Sequence, residues 1–114
     1  MKSTAKLFKA LSDPNRIRIV KMLEVRPLCV CEITSILNLA TSTVSKHLSI
    51  LKEAGFIFEQ KEGKWVNYHL NRATQNPLIH ELLVLIAKKN MNAPIIQSDR
   101  EKIKSVDRMT LCGS

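Results

Sequence analysis

The sequence predicts a mainly α-helical chain with one small β-hairpin, and three observations carry that expectation. Apolar residues recur at helical spacing through most of the chain. Helix start signals at Asp13-Pro14, Thr41-Ser42 and Asn76-Pro77 cut that pattern into separate segments. Only between Phe56 and Leu70 does the period shorten to two, with a glycine between the two runs. A length of 114 residues fits one domain, and 45% apolar with 25% charged residues is ordinary for a folded soluble chain.

The elements follow in order. Ala5 to Leu11 has apolar residues at helical spacing and reads as a first helix. Asp13-Pro14 supplies a cap and then a proline at the first helical position. Ile17, Val20 and Leu23 carry this second helix to about Val25, before Pro27. Glu32 to Leu39 reads as a short third helix. Thr41-Ser42 opens a fourth with a buried stripe of Val44, Leu48 and Leu51, and Gly55 ends it. Phe56 to Gln60 and Lys64 to Leu70 are strands joined through Glu62-Gly63. Val66, Tyr68 and Leu70 alternate there with Trp65, Asn67 and His69.

Asn76-Pro77 caps a fifth helix through about Lys89. Its Leu78, Ile79, Leu82, Leu83, Leu85 and Ile86 exceed what one core face requires. The surplus predicts a second buried face, hence a homodimer. Ser98-Asp99-Arg100-Glu101 reads as a capping box, followed by Ile103, Val106 and Met109, so a short sixth helix is expected at 99–110. Residues 1–90 would then form the main unit, with 91–114 as a C-terminal tail.

Charge narrows the partners. Eighteen Lys+Arg against ten Asp+Glu give a formal +8, and a small basic chain favours a polyanion. The longest apolar run, Leu82 to Ala87, is too short to span a membrane, and no apolar stretch follows the first lysine. With three cysteines and no export signal, the cytoplasm is the expected compartment.

Third helix, short turn, fourth helix and hairpin is the order of a winged helix-turn-helix. Opposite the buried stripe of the fourth helix lie Ser42, Ser45, Lys46, Ser49 and Glu53. Short hydroxyl side chains let a helix approach base edges and phosphates closely, and Lys46 adds a phosphate or guanine contact. The expected DNA-binding set is Thr41, Ser42, Thr43, Ser45, Lys46, His47 and Ser49, with Lys61 and Lys64 of the hairpin straddling a phosphate backbone. His47 lies nearer the buried stripe, so it either orients the helix or reads a base.

Three segments in order resemble the ArsR/SmtB family of bacterial metal-responsive repressors. They are Leu7-Phe8-Lys9-Ala10-Leu11-Ser12-Asp13-Pro14-Asn15-Arg16, Leu39 to Leu48 (LATSTVSKHL) and Leu51-Lys52-Glu53-Ala54-Gly55-Phe56-Ile57. The likeness runs from about Leu7 to Leu70 and includes the wing, Lys64 to Leu70. It implies a homodimer paired through its first and fifth helices, which sits on double-stranded operator DNA and leaves when an effector binds. Thr41 stands where the family often has Gln.

Cys29-Val30-Cys31-Glu32 falls at the start of the third helix. Glu32 three places after Cys29 has capping-box spacing, yet a cysteine caps poorly, at about 1 kcal/mol below Ser or Thr. Residues two apart inside a helix point away from each other, whereas a residue at the cap is free to turn its sulfur toward Cys31. A helix N-terminus is expected to lower the thiol pKa, and thiolates select soft ions. The pair resembles that of arsenic- and antimony-responsive members, and cadmium- and lead-responsive members also use cysteines here. The arsenic pattern often has a further cysteine where this chain has Thr34, so Cys112 is the candidate third ligand for As(III) or Sb(III). The family's other site needs an Asp/His pair that is absent; His80 and Glu81 alone do not supply it.

The expected function is therefore a repressor released by As(III) or Sb(III). Two alternatives keep the DNA binding and replace the signal by Cd(II)/Pb(II) or by thiol oxidation. A third is a thiol or metal-carrier protein without a DNA role. An enzyme is not expected, because Cys-x-Cys is not the redox motif Cys-x-x-Cys and no catalytic partner set stands near it.

Overall fold

The computed structural model describes residues 2–106. Six helices and three short strands follow in the order α1 (Lys2–Ala10), α2 (Pro14–Val25), β1 (Leu28–Cys29), α3 (Val30–Leu37), α4 (Thr41–Ala54), β2 (Ile57–Glu62), β3 (Trp65–Leu70), α5 (Pro77–Lys88) and α6 (Pro94–Ser105). The expected winged helix-turn-helix is present. Asp13 caps α2 by accepting from the Asn15 and Arg16 N–H groups, and Asn76 caps α5 the same way with Leu78 and Ile79. Asn38, at φ 56°, ends α3, and the turn to α4 needs only Leu39 and Ala40 more.

Gly55 ends α4 at φ 96°, with its N–H and that of Phe56 folding back onto the Lys52 and Leu51 carbonyls. A Cβ there would stand 2.9 Å from Ile79 Cδ1 of α5, so close helix approach adds a second demand for glycine.

The core joins Ile19, Val20, Met22 and Leu23 of α2 to Ile33 and Ile36 of α3, Val44, Leu48 and Leu51 of α4, and Ile79, Leu82, Leu83 and Ile86 of α5. Lys21, only 2% exposed, runs through it and donates to the Ile86 and Ala87 carbonyls at 2.9 and 3.3 Å. That ammonium joins α2 to the negative end of α5, and Glu24 neutralises it at 3.2 Å.

Three expectations are corrected. Residues 28–29 form a strand, and the sheet has three antiparallel strands in the order β1-β3-β2. Two residues carry no readable alternation, so β1 had no signature in the sequence. α3 spans Val30–Leu37 rather than 32–39, with Cys29 at the cap as the capping-box spacing implied, because the Glu32 carboxylate accepts from the Cys29 N–H from within the helix. α6 begins at Pro94, not at the Ser98 box. Asp99 is inside α6 and buried, its carboxylate held by the Arg18 guanidinium through two bonds of 2.9 Å. Ile96 and Ile103 are buried beside it, so α6 packs on α2 and α3 as part of the same body. The expected continuation through Met109 to residue 110 lies outside the described residues.

Candidate nucleic-acid interface and thiol site

α4 carries no side-chain cap: its N-cap is Ala40. The first N–H groups of a helix have no partner within it, and the dipole makes that end positive. Thr41, Ser42 and Thr43 are exposed around this end, and Ser45, Lys46 and Ser49 continue the exposed face. Val44, Leu48 and Leu51 are fully buried behind it, so the division of faces is the expected one. Lys61 and Lys64 are exposed on the wing, where Lys64 Nζ lies 5.1 Å from the Trp65 ring centroid. Lys52, at the far end of α4, is tied to Glu59 of β2 at 2.6 Å, which sets the wing against the helix.

His47 differs from the others. It is half-buried, and its Nδ1 lies 3.1 Å from Nη1 of Arg16. Of the two roles left open for it, this geometry supplies a partner for orientation.

The thiol site lies at the start of α3. Cys29 is 4% exposed, with extended backbone angles, and is the N-cap of α3. Its N–H donates to Glu32 Oε1 at 3.0 Å while its sulfur faces the Glu32 N–H, giving the reciprocal capping box. Cys29 also belongs to β1 and pairs with Asn67 of wing strand β3, as Leu28 pairs with Tyr68. One residue thus joins the helix behind α4 to the root of the wing. Glu32 is buried, and its other oxygen accepts from Arg26 Nη2 at 3.1 Å. The same nitrogen donates to the Ile103 carbonyl of α6 at 3.1 Å.

The expected lowering of the thiol pKa is overturned for Cys29. Burial pushes it up, and the adjacent Glu32 carboxylate adds to the rise against the N–H groups of Glu32 and Cys31. The helix end cannot outweigh a closed apolar setting and a buried anion.

Cys31 is half-buried and disulfide-bonded, and Cys29 is the free cysteine among the described residues. Cys112 lies outside the described residues. Thr34, one turn beyond Cys31, has a buried hydroxyl with no hydrogen-bond partner among the described residues. No group of three or more His, Cys, Asp or Glu among the described residues is placed to hold a metal ion. His80 and Glu81 are exposed on α5. No helix among the described residues is long and apolar enough to cross a membrane.

Sequence reasoning missed Arg26, Asn67 and Arg16. Each acts through a contact distant in the chain, and only Arg16, within the Asp13-Pro14-Asn15-Arg16 cap, had any local signal.

The short α3–α4 turn, the polar outer face of α4 and the hairpin beside it define a winged helix-turn-helix. The chain belongs to the ArsR family of bacterial regulatory proteins. The family model described as "Bacterial regulatory protein, arsR family" matches residues 13–58. Over 83 residues the chain is 39% identical to the cadmium resistance transcriptional regulatory protein CadC homolog of Staphylococcus aureus, covering 68% of this chain and 69% of that protein. It is 42% identical over 66 residues to the arsenical resistance operon repressor of Escherichia coli K12, a match over 57% of this chain but only 56% of that protein. Reduced HlyU from Vibrio cholerae N16961 has the same fold, with a TM-score of 0.62 at 29% identity, covering 75% of this chain and 85% of that one.

Proposed function

We propose that the protein is a homodimeric transcriptional repressor that binds operator DNA through α4 and the wing. Arsenite or antimonite would release it by bonding to the thiols of Cys29 and Cys31. The observation that carries this reading is the position of Cys29, which is at once the cap of α3 and the β1 residue paired to wing strand β3. A ligand that draws the Cys29 sulfur toward Cys31 must break the capping box. The wing root and the support of α4 would then shift together, lowering DNA affinity.

Protonated thiols favour trivalent arsenic over a divalent cation. As(OH)₃ + 2 RSH → (RS)₂AsOH + 2 H₂O consumes both thiol protons in the water released. Cd(II) or Pb(II) needs thiolates, which the buried setting of Cys29 opposes. Cys31 must first be reduced, and Cys112 is the candidate for the third sulfur. The arsenical resistance repressor among the relatives supports the metalloid assignment. Its cadmium counterpart keeps the divalent alternative in the test. The disulfide at Cys31 favours thiol oxidation as a second reading.

Residues 1–90 would supply DNA binding and dimerisation. Leu85 is 50% exposed on α5 beside Val84, and Phe8 of α1 is 54% exposed, which supports pairing through these two helices. The test is duplex binding by the fully reduced protein across a salt series, with and without arsenite. Tight, salt-dependent binding that arsenite weakens at least roughly tenfold supports the proposal. Salt-dependent binding indifferent to arsenite but lost on peroxide treatment favours oxidation. No duplex binding at low salt removes the DNA role.

A further inference from the structure

The Arg16 side chain does more than meet His47, because its guanidinium joins three helices. Nε donates to the Ala10 carbonyl at 2.7 Å and Nη2 to the Lys9 carbonyl at 3.3 Å, so it closes the C-terminal end of α1. Nη1 reaches His47 Nδ1 at 3.1 Å on α4. Its own backbone N–H is held by the Asp13 carboxylate at 3.3 Å in the cap of α2.

An arginine has donors only, so the Nδ1 it meets must accept, and the His47 proton then resides on Nε2. His47 sits on α4 between the buried stripe and the exposed Lys46 face. A planar guanidinium with several donors in fixed directions resists rotation in a way a lysine does not.

We infer that Arg16 and His47 are a positioning pair that fixes the orientation of the reading helix α4 against α1 through the Nη1–Nδ1 hydrogen bond. The pair sets specificity without His47 touching a base. The inference rests on duplex binding by α4, and not on the effector. In the proposed dimer paired through α1 and α5, this bond would also set the separation of the two reading heads, which duplex half-site spacing must match.

The experiment compares Arg16→Lys, His47→Leu, His47→Asn and the Arg16→Lys/His47→Leu double variant on operator and non-specific duplexes across a salt series. Asn places an acceptor oxygen close to where Nδ1 stands. His47→Leu and Arg16→Lys are each expected to weaken operator binding about tenfold, the loss of one charge-assisted hydrogen bond. Their salt slope should match the wild type, because no phosphate contact is removed. The double variant should lose no more than either single one, and His47→Asn should stay within about threefold of wild type.

Nitrogen-detected NMR of the His47 ring supplies a readout independent of DNA. The Nε2–H tautomer should dominate in the wild type, and a mixture should appear in Arg16→Lys. Should the wild type bind no duplex, the proposed function falls while the ring spectrum still decides the pairing. The inference is overturned by an unchanged tautomer in Arg16→Lys. It is equally overturned if His47→Asn loses as much affinity as His47→Leu while Arg16→Lys binds normally, since His47 would then be reading DNA through Nε2.

Discussion

At the scale of residues, the joint between Cys29 and Glu32 governs the chemistry. The thiol is protonated because burial and the Glu32 carboxylate both raise its pKa. A thiol raised on folding holds its proton more tightly in the folded chain. Its contribution to stability is therefore full below the ordinary thiol value and is lost as pH rises through the raised one. Tyr68 is displaced the same way, by burial first and then by Glu59. Folding stability of the reduced protein should thus decline on the alkaline side, a trend that denaturant titration from pH 8 upward would detect. Glu32→Gln keeps a capping amide and removes the anion. It should speed Cys29 alkylation at neutral pH, as measured by mass spectrometry of the reduced protein. A slower or unchanged rate would mean that Glu32 does not restrain the thiol. The capping spacing and the odd choice of cysteine were visible in the sequence. The sign of the pKa shift was not, because burial of Cys29 comes from β3 and the core, which no local pattern records.

At the scale of elements, α2, α4, the hairpin and α5 were legible because each carries both a periodic stripe and an end signal. Asp13-Pro14, Gly55 and Asn76-Pro77 are local chemistry with local consequences. Gly55→Ala should cost about 1–2 kcal/mol from the left-handed backbone alone. The contact with Ile79 adds to that, and chemical denaturation would read the sum. α6 was misplaced for the opposite reason. The Ser98-Asp99-Arg100-Glu101 run satisfies the spacing of a capping box, but Asp99 is claimed by Arg18, far away in the chain, and Pro94 provides the true start. Arg18→Met strands a buried carboxylate and should cost about 3 kcal/mol. The Arg18→Met/Asp99→Leu pair should recover most of that loss. Equal instability of the single and double variants would show that α6 is held by Ile96 and Ile103 rather than by charge.

At the scale of the whole molecule, the proposal links an exposed basic face on α4 and the wing to a thiol joint behind it, in a dimer paired through α1 and α5. Leu85→Asp puts a charge on the exposed apolar side of α5 and should shift the mass measured by light scattering from dimer to monomer. It should also weaken operator binding while leaving the fold intact by circular dichroism. A dimer that survives the substitution would move the interface elsewhere. The central claim is that metalloid bonding at the α3 cap releases DNA. Its most direct test is the operator dissociation constant of the reduced protein with and without arsenite, in the wild type and in Cys29→Ser/Cys31→Ser. The account predicts that arsenite weakens wild-type binding at least roughly tenfold and leaves the double variant bound, with serine capping α3 at least as well as cysteine. Equal release of both proteins by arsenite would contradict it.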